Sequence, residues 1–428
     1  MQESVQIGLL GCGTVGSGVL SILNANGDRI SARAGASIRI RRIAVRDVRR
    51  QRSVPVEPEL LTADPWEVVR DPAIEIVVEV IGGVHPALEL IRAALESGKS
   101  VVTANKEVLA KHGPELLELA ARRGVDLLFE GSVAGGIPII KPLRESLAAN
   151  RIKAIVGIIN GTTNYMLTRM SREGIPFEEA LRKAQELGYA EADPTSDVEG
   201  YDAAFKIAIL AALAFETPVQ VSDVYCEGIT RITPEDIRYG QELGYAVKLL
   251  AIAREDGGRL DVRVHPAFIP QSHPLAAVQD VFNAIYVRGD AVGELMFYGR
   301  GAGSLPTGSA VVADLIDAVR RRRSGNGHFR VSGEALAVRP IEETVSRYYV
   351  SLKVVDQPGV LASIAAAFGE EGVSIGSVIQ KGRLEDPVDL VFVTHEVKEE
   401  YIRRALEKIG RLPVVRYVSN VIRVEADV

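Results

Sequence analysis

The sequence predicts an α/β protein with a Rossmann-type, doubly wound parallel sheet, a middle α+β domain and a C-terminal ferredoxin-like module. Three observations support this class. Apolar strand patterns alternate with helical patterns in the first third of the chain, a glycine-rich turn follows the first strand, and a β-α-β-β-α-β order appears near the end. Strands that alternate with helices favour a parallel sheet, because each helix returns the chain to the same edge.

Composition limits the functional classes. The chain has 428 residues, of which 47% are hydrophobic and 25% charged, enough for two to three domains. A formal net charge of −6 argues against nucleic acid or an anionic membrane as partner. Cys12 and Cys226 provide no disulfide framework, which fits a reducing compartment. No apolar run has membrane length and no signal-peptide pattern opens the chain, so we expect a cytoplasmic protein.

The first predicted strand leads into a turn that predicts dinucleotide binding. Gly11, Gly13 and Gly16 form G-x-G-x-x-G. Thr14 and Val15 open the helix that follows. The first glycine permits the turn, the second lets a pyrophosphate approach, and the third packs helix against strand. A tight turn without ligand is the alternative, but the surrounding strand and helix favour the cofactor.

The second predicted strand, 38–45, ends in a charged loop that bears on the choice of cofactor. Arg46 and Arg50 suit the 2′-phosphate of NADP, whereas Asp47 suits the ribose hydroxyl of NAD. A solvated loop without cofactor contact explains the same residues. The sequence therefore leaves NADP and NAD open.

Two further predicted strands, 74–80 and 100–103, lead to polar residues at the edge of the sheet. Thr103 ends the second strand, and Lys106 opens a helix that runs to Arg123. Because doubly wound sheets bind ligands outside the carboxyl ends of their strands, Thr103 and Lys106 are candidates for the cofactor site. An ordinary exposed lysine at a helix start is the alternative for Lys106.

Beyond the Rossmann-type segment, a loop of small residues covers 131–138, directly after Glu130. Its backbone carbonyls can coordinate a hard cation, although a domain hinge fits the same composition. A strand over 151–159 and a polar turn over 160–165 follow. The next helix, 176–187, ends at Gly188, which is a common helix stop.

The stretch 203–215 is the strongest candidate for catalysis. Every residue in it is apolar except Lys206, so we expect a buried helix. Asp202 precedes Lys206 by one turn on the same face. Asp197 and Glu191 lie just upstream, so three carboxylates can converge on one buried ammonium. A structural ion pair is the alternative, but the carboxylate-rich entry to the helix favours an active site.

The last third of the chain contains a strand over 279–289, a small-residue loop over 299–304 and a helix that ends near Arg322. The stretch 324–346 has the composition of a linker. The module that follows has its own alternating strands and is expected to fold as a unit. Its turn at 356–360 opens a helix whose first amides can receive an amino-acid carboxylate.

Several motifs in this chain resemble homoserine dehydrogenase over about residues 5–320. They are GLLGCGTVGSGV, VVTANKEVLA, EGSVAGGIPII, NGTTNYML and AQELGYAEADPTSDVEGYDAAFK. The C-terminal module, with its D-x-P-G-V-L turn, is similar to an ACT domain, a small amino-acid-sensing fold. With no aspartokinase region before the dehydrogenase, the monofunctional form is expected. The resemblance implies reduction of L-aspartate 4-semialdehyde to L-homoserine by NADPH or NADH, in threonine and methionine biosynthesis.

The resemblance also implies roles for individual residues. Lys206 corresponds to the proton donor to the carbonyl oxygen and Asp197 to a further active-site acid. Glu191 and Asp202 correspond to substrate-binding acids. The residues that match contacts to the cofactor or to the reacting oxygen are Thr103, Lys106 (also a catalytic candidate), Gly188 and Gly303. A sodium-binding loop, largely of main-chain oxygens, is matched by Glu130, Val133, Gly135 and Ile137.

The same resemblance implies the domain organisation and the partners. The expected segments are an NAD(P)-binding domain (1–135 with 301–323), a catalytic and dimerisation domain (136–300), a linker (324–346) and an ACT domain (347–428). A homodimer or larger homo-oligomer is expected, with the middle domain at the interface. L-Threonine, the end product of the pathway, is the expected effector. Removal of residues 344–428 is expected to leave a soluble dehydrogenase that no longer responds to threonine.

Two other functional classes remain open from the sequence. An acylating aldehyde dehydrogenase of the same pathway needs a cysteine thiolate. Cys12 lies in the glycine loop, and Cys226 has no activating histidine near it in the sequence. A non-catalytic amino-acid sensor would use only the C-terminal module, and Lys206 with its acidic neighbours argues against that class.

Overall fold

The computed structural model describes residues 4–324, 336–381 and 387–426, so part of the predicted linker lies outside the described residues. The chain divides into two compact units. Unit 1 comprises Met1–Ile155, Phe205–Asp223 and Asn283–Ala335, and unit 2 comprises Val156–Ala204, Val224–Phe282 and Leu336–Val428. In the described part of the chain, no helix has both the length and the apolar character needed to cross a membrane.

Unit 1 opens with alternating strands and helices. In chain order they are β1 (Ser4–Leu10), α1 (Thr14–Ala34), β2 (Ser37–Ala44), β3 (Leu61–Thr62), α2 (Pro65–Arg70), β4 (Ile76–Glu79), α3 (Ala87–Glu96), β5 (Ser100–Thr103), α4 (Lys106–Arg123) and β6 (Leu127–Leu128). The strands are parallel, in the order β3-β2-β1-β4-β5-β6. The order reverses between β1 and β4, which is where such sheets bind their ligands.

Apolar side chains explain the central position of β1 and β4. Ile7, Leu9, Ile76 and Val78 are each 0% exposed, as expected for parallel strands that are covered on both faces. Helix α1 extends to Ala34, with a kink at Asn26. Much of its second half is polar and exposed, but Ile30 and Ala34 are buried and join the core around β1.

The middle of the chain supplies the next group of elements. They are β7 (Ile152–Ile158), α5 (Gly161–Glu173), α6 (Phe177–Glu186), α7 (Thr195–Val198), α8 (Tyr201–Ala214), β8 (Tyr225–Cys226), α9 (Pro234–Glu242), β9 (Tyr245–Asp256), β10 (Arg259–Pro270), β11 (Phe282–Gly289), β12 (Gly293–Arg300) and α10 (Ser304–Ser324). Helix α10 belongs to unit 1, where Val311 and Leu315 join the core around β1.

The final group of elements contains the predicted β-α-β-β-α-β module. They are β13 (Ala337–Val338), β14 (Val345–Val354), α11 (Val360–Glu370), β15 (Ile375–Lys381), β16 (Val388–Thr394), β17 (Val397–Lys398), α12 (Glu399–Ile409) and β18 (Val415–Val424). The module has a core of its own, which includes Ile364, Phe368 and Phe392. The predicted mixed α/β class is confirmed.

The C-terminal module lies in the same compact unit as the middle segment 224–282. In unit 2 the strand order is β9-β10-β18-β14-β16-β15, so β18 pairs with a strand of the middle segment on one side and with β14 on the other. Ala267 of β10 pairs with Arg423, and Phe268 pairs with Val424. Local sequence patterns do not predict this pairing, because the paired residues lie about 150 positions apart in the chain.

Candidate active site

The glycine turn has the geometry expected of a dinucleotide-binding loop. Gly11 has a φ of +101°, and a Cβ there would lie 2.8 Å from the carbonyl oxygen of Val80. A Cβ on Gly16 would lie 2.3 Å from the carbonyl oxygen of Gly11, so only glycine lets α1 approach β1 this closely. A Cβ on Gly13 would meet no atom within 4 Å, which leaves the middle of the turn open.

A cavity of about 860 Å³ lies beside this turn in unit 1. Its lining includes Gly11, Gly13, Thr14, Arg46, Asp47, Arg50 and Ser304. The N-terminus of α1 has no side-chain cap, so its first amides are available to an anion. Val15 packs its side chain against the core, so only its backbone can serve a ligand. Gly303, with a φ of +130°, immediately precedes Ser304 at this cavity.

Arg52 holds the loop that follows β2. Its guanidinium donates hydrogen bonds of 2.7 Å to the carbonyl oxygens of Asp47 and Arg50. The Asp47 carboxylate accepts the amide N–H of Arg49 at 2.8 Å and thereby stabilises its own turn. Arg46, Asp47 and Arg50 are all exposed. Arg52 was not predictable from the sequence, because its bonds are to backbone carbonyls that only the folded loop brings within reach.

A buried acid at the end of β4, Glu79, organises the neighbouring edge of the sheet. Its carboxylate accepts the Thr103 hydroxyl at 2.6 Å and the amide N–H of Ile81 at 2.8 Å. Burial raises the pKa of Glu79, and these hydrogen bonds only partly oppose the shift. The Thr103 oxygen accepts the amide N–H of Asn105, whose side chain donates to the carbonyl of Gly83 at 2.7 Å. Glu79 was not predicted to belong to the site, although a carboxylate that ends an apolar strand was a usable signal.

Lys106 and Lys206 are carried by helices that pack together in unit 1. Lys106 is the first residue of α4 and is half-buried, so it is not the ordinary exposed lysine of the alternative interpretation. Lys206 lies on α8 and is only 8% exposed, as the apolar sequence predicted. The ammonium of Lys111, on α4, lies 5.5 Å from the centroid of the Phe205 ring, on α8. Because Phe205 directly precedes Lys206, this part of α8 packs against α4.

Asn160 brings two of the predicted acids together in unit 2. Its side-chain N–H groups donate to Asp197 at 2.7 Å and to Asp202 at 2.9 Å. Its side-chain oxygen accepts the amide N–H of Thr163 at 2.9 Å, which caps α5. The two carboxylates that share this amide therefore lie close to each other. The sequence predicted only a polar turn over 160–165, and the further signal there is an asparagine at a helix N-cap.

Glu191 does not join the Asn160 cluster. Its side chain is exposed, and no described residue donates a hydrogen bond to its carboxylate or forms an ion pair with it. The turn before it contains Gly188, with a φ of +72°, and the carbonyl of Tyr189 accepts the Thr162 hydroxyl at 2.8 Å. Of the three carboxylates expected to converge, two therefore lie together, whereas Glu191 lies on the surface part of the loop.

Helix α8 carries both Asp202 and Lys206, one turn apart on one face. The boundary between the two units falls inside this helix, between Ala204 and Phe205. Gly200 leads into the helix with a φ of +86°, a conformation that side chains of L-residues rarely adopt. Helix α8 therefore contributes Asp202 to unit 2 and Lys206 to unit 1.

Cys226 does not have the character of a nucleophile. Burial raises the pKa of its thiol to about 12, and the charges of Glu199 and Glu227 act in the same direction. The thiol donates to the carbonyl of Glu199 at 3.3 Å. Cys12 lines the cavity beside the glycine turn. The thiolate chemistry of an acylating dehydrogenase therefore has no support from Cys226.

The Glu130 side chain stabilises the start of the next helical segment. Its carboxylate accepts the amide N–H groups of Ile139 at 2.6 Å, Ile140 at 2.8 Å and Lys141 at 2.7 Å. The amide of Glu130 donates to Asp314 at 2.7 Å, and burial together with the Glu130 charge raises the pKa of Asp314. With three amides on its carboxylate, Glu130 has little capacity left for an ion, so a cation in this loop would depend on carbonyl oxygens.

The carbonyl groups of this loop fit a hard cation. Those of Val133, Gly135 and Ile137 belong to buried residues and accept no hydrogen bond from the described part of the chain. Buried carbonyls normally have a donor, and oxygen ligands of this kind are what a hard cation binds. In the described residues no group of three or more His, Cys, Asp or Glu could hold a metal ion. The donor set thus suits sodium better than a transition metal.

Three family models match the chain. The model of the homoserine dehydrogenase NAD binding domain matches residues 11–130, that of homoserine dehydrogenase matches 138–316, and that of the ACT domain matches 348–414. The homoserine dehydrogenase of Synechocystis sp. is 48% identical over 98% of this chain and 99% of its own length. The match to this relative therefore covers nearly the whole chain, including the parallel sheet of unit 1 and the C-terminal module.

Solved structures lead to the same family. The crystal structure of a homoserine dehydrogenase from Thiobacillus denitrificans has a TM-score of 0.93 and 45% sequence identity, and it covers 100% of both chains. A hyperthermophilic archaeal homoserine dehydrogenase in complex with NADPH has a TM-score of 0.64 and 30% identity over 74% of this chain and 97% of that one. From the dinucleotide-binding sheet to the ACT domain, this chain belongs to the homoserine dehydrogenase family and is an NAD(P)-dependent oxidoreductase.

Proposed function

We propose that the protein reduces L-aspartate 4-semialdehyde to L-homoserine, with NADPH or NADH as the hydride donor. The observation that carries this proposal is the buried Lys206, which shares helix α8 with an acid of the Asn160 cluster. The nicotinamide supplies the hydride when bound, and the protein binds the substrate, orients it and moves the proton.

Lys206 is the proposed proton donor. As the aldehyde carbon is reduced, negative charge develops on its oxygen, and a buried ammonium stabilises that charge before it donates the proton. Lys106 is proposed as a second catalytic cation near the reacting oxygen. The packing of the two lysine-bearing helices in unit 1 supports this pairing of roles.

The acids are proposed to hold the ammonium group of the substrate. Asp202 is 4% exposed and shares the Asn160 amide with Asp197, so a cation can be attracted by two fixed negative charges. Glu191 is proposed as the third acid, with an exposed carboxylate that is able to turn towards a bound substrate. Held in this way, the aldehyde is oriented before reduction, which is a major source of catalytic rate.

The cofactor is proposed to bind along the glycine turn. The backbone groups proposed for the pyrophosphate belong to Gly11, Gly13, Thr14, Val15 and Gly16. The residues proposed for the remaining contacts to the cofactor or the reacting oxygen are Thr103, Lys106, Gly188 and Gly303. Arg46 and Arg50 are proposed for the 2′-phosphate of NADPH, and the related archaeal enzyme in complex with NADPH supports this cofactor.

The remaining partners follow from the same resemblance. Sodium is the proposed cation of the loop that contains Glu130, Val133, Gly135 and Ile137, and the protein is proposed to dimerise through its middle domain. L-Threonine is the proposed effector. The ACT helix α11 begins after Gly359, which has a φ of +91° and no side-chain cap, so its first amides can receive an amino-acid carboxylate.

The proposal is tested by steady-state oxidation of NADPH and of NADH with L-aspartate 4-semialdehyde, in sodium and in potassium buffers, with and without threonine. We expect semialdehyde-dependent oxidation and formation of homoserine. A second assay supplies NADP+ or NAD+ with phosphate or a thiol as acyl acceptor, and oxidation of the semialdehyde to an acyl phosphate or thioester with reduction of the nucleotide would identify the acylating class. A folded protein that binds threonine but oxidises neither cofactor would identify the sensor class.

A further inference from the structure

Arg423, in the last strand of the ACT domain, lies in a buried charge cluster. Its guanidinium donates to Glu399 at 3.0 and 2.7 Å, to Glu227 at 2.9 Å and to the Tyr225 oxygen at 3.3 Å. Burial lowers the pKa of Arg423, but Glu399, Tyr225 and Glu227 outweigh that effect, so the arginine remains charged. Arg423 thus joins helix α12 of the ACT domain to the segment that contains β8.

The segment 225–229 continues the connection towards the acid cluster. The amide N–H of Ile229 donates to the carbonyl of Val198 at 2.8 Å, and the Cys226 thiol donates to the carbonyl of Glu199 at 3.3 Å. A Cβ on Gly228 would lie 2.2 Å from the carbonyl oxygen of Val198, so the two backbones are in direct contact. A displacement of the segment is therefore transmitted to the Val198–Glu199 backbone, because no gap can absorb it.

The Val198–Glu199 backbone lies between the two acids that share Asn160. Asp197 immediately precedes it, and the amide of Gly200 donates to the carbonyl of Asp197 at 3.0 Å. Helix α8, with Asp202 in its first turn, begins directly after Gly200. A contiguous series of contacts within unit 2 therefore runs from the ACT domain to both acids.

We propose that Arg423 is a positioning residue for the reaction, and that the ACT domain adjusts substrate binding through the segment 225–229. This inference rests on the proposed function, in which Asp197 and Asp202 hold the substrate ammonium. Arg423 touches no reacting atom, so it acts only by fixing the segment on which the acids depend. Couplings of this kind change affinities by about 5- to 150-fold.

The test uses conservative changes on the segment in the full-length protein. Tyr225→Phe removes the hydroxyl that donates to Glu227 at 3.0 Å and accepts from Arg423, and Glu227→Gln removes the negative charge that Arg423 binds. The matched control is Tyr349→Phe. It removes a hydroxyl that donates from ACT strand β14 to Asp236 of helix α9 at 3.1 Å, a contact to the middle segment that bypasses 225–229.

We expect Tyr225→Phe and Glu227→Gln to raise the KM for aspartate semialdehyde by about 5-fold and to leave kcat and the KM for NADPH unchanged. Tyr349→Phe should leave all three values unchanged. Native-state hydrogen exchange gives a readout that does not need activity. Amides at 195–203 should exchange faster in the two segment variants than in the wild type or in Tyr349→Phe, because they lose a fixed neighbour.

The outcomes separate the two proposals. A folded wild type without semialdehyde reduction refutes the proposed function, and hydrogen exchange at 195–203 then decides whether the positioning contact exists. With an active wild type, an unchanged KM in both segment variants overturns the inference even where exchange is faster, because the contact would then be structural only. An equal rise of KM in Tyr349→Phe would also overturn it, since the effect would not depend on 225–229.

Discussion

Lys206 combines a charge with an apolar setting, and its proposed role as the proton donor can be tested on this one side chain. We expect Lys206→Met, which keeps the apolar stem, to lower kcat by at least about 100-fold with little change in KM. The reason is that the ammonium acts on charge that exists only in the transition state. Lys408→Met, which removes an exposed lysine from helix α12, is the control. A folded Lys206→Met protein with near-native kcat would make Lys206 a structural residue.

Asn160 offers a second test at the scale of one side chain. Asn160→Ser keeps a good N-cap for α5 but is too short to hold Asp197 and Asp202. We expect the KM for aspartate semialdehyde to rise by about 10-fold, while the KM for NADPH and the melting temperature change little. Steady-state kinetics and a thermal melt provide these values. A parallel rise in the KM for NADPH would mean that the change disturbs more than the acid pair.

The charged loop after β2 is the element that bears on cofactor choice. Arg46→Ala with Arg50→Ala is expected to raise the KM for NADPH by about 10-fold more than that for NADH, because bonds between arginine and phosphate are charge-assisted. Arg49→Ala is the matched control, because Arg49 lies in the same loop but outside the residues that line the cavity. Equal effects of the double change on both cofactors would exclude the 2′-phosphate contact.

Elements with a strong periodic pattern were predictable from the sequence, and residues that act across elements were not. Strand β5 has the predicted bounds, because it is a short apolar run between clear turns. Glu79 was missed because its partner, Thr103, lies 24 positions away in the chain. Asn160 was missed because its partners, Asp197 and Asp202, lie 37 and 42 positions away. The hydrophobic periodicity of a sequence predicts which face of a helix or strand is buried, but it does not predict which distant side chains contact that face.

At the scale of the whole molecule, a buried histidine links stability to pH. His265 is 0% exposed, accepts the Arg263 Nε–H at 3.0 Å and donates from Nδ1 to the carbonyl of Pro266 at 3.0 Å. Burial lowers its pKa to about 3, and the charges of Arg423 and Arg263 add to the shift. His265 is therefore neutral in the folded protein at pH values where the unfolded chain takes up a proton.

The sign of the effect follows from that difference in pKa. As the pH falls below the unfolded value of 6.5, only the unfolded chain gains the proton of His265, so stability is lost. Between about pH 6.5 and about pH 5.5, we expect the wild type to lose about 1 kcal/mol more unfolding free energy than His265→Gln. Urea unfolding at the two pH values provides the comparison. Equal losses in the two proteins would show that His265 does not titrate as described.

The pairing of β18 with β10 changes the expectation for a truncated enzyme. Removal of 344–428 would take Glu425 from Arg263, with which it forms a 2.9 Å ion pair, and would expose the buried Phe268. We now expect the truncated protein to melt at a lower temperature and to aggregate, rather than to remain an intact dehydrogenase. A thermal melt and size-exclusion chromatography against the full-length protein test this. A monodisperse truncated protein with native stability would restore the earlier expectation.

The order of the paired elements also sets the course of folding during synthesis. Helix α10 packs so closely on α1 that a Cβ on Gly308 would lie 2.8 Å from the carbonyl carbon of Gly18. At roughly 5–20 residues per second, a ribosome takes about 15–60 s to make the chain between those two positions. Until α10 has been synthesised, the apolar side chains around β1 that it buries remain exposed. The sheet of unit 2 is completed later still, when β18 has been synthesised. The nascent chain is thus expected to bind chaperones through most of its elongation, and the rate of translation will influence its yield of native enzyme.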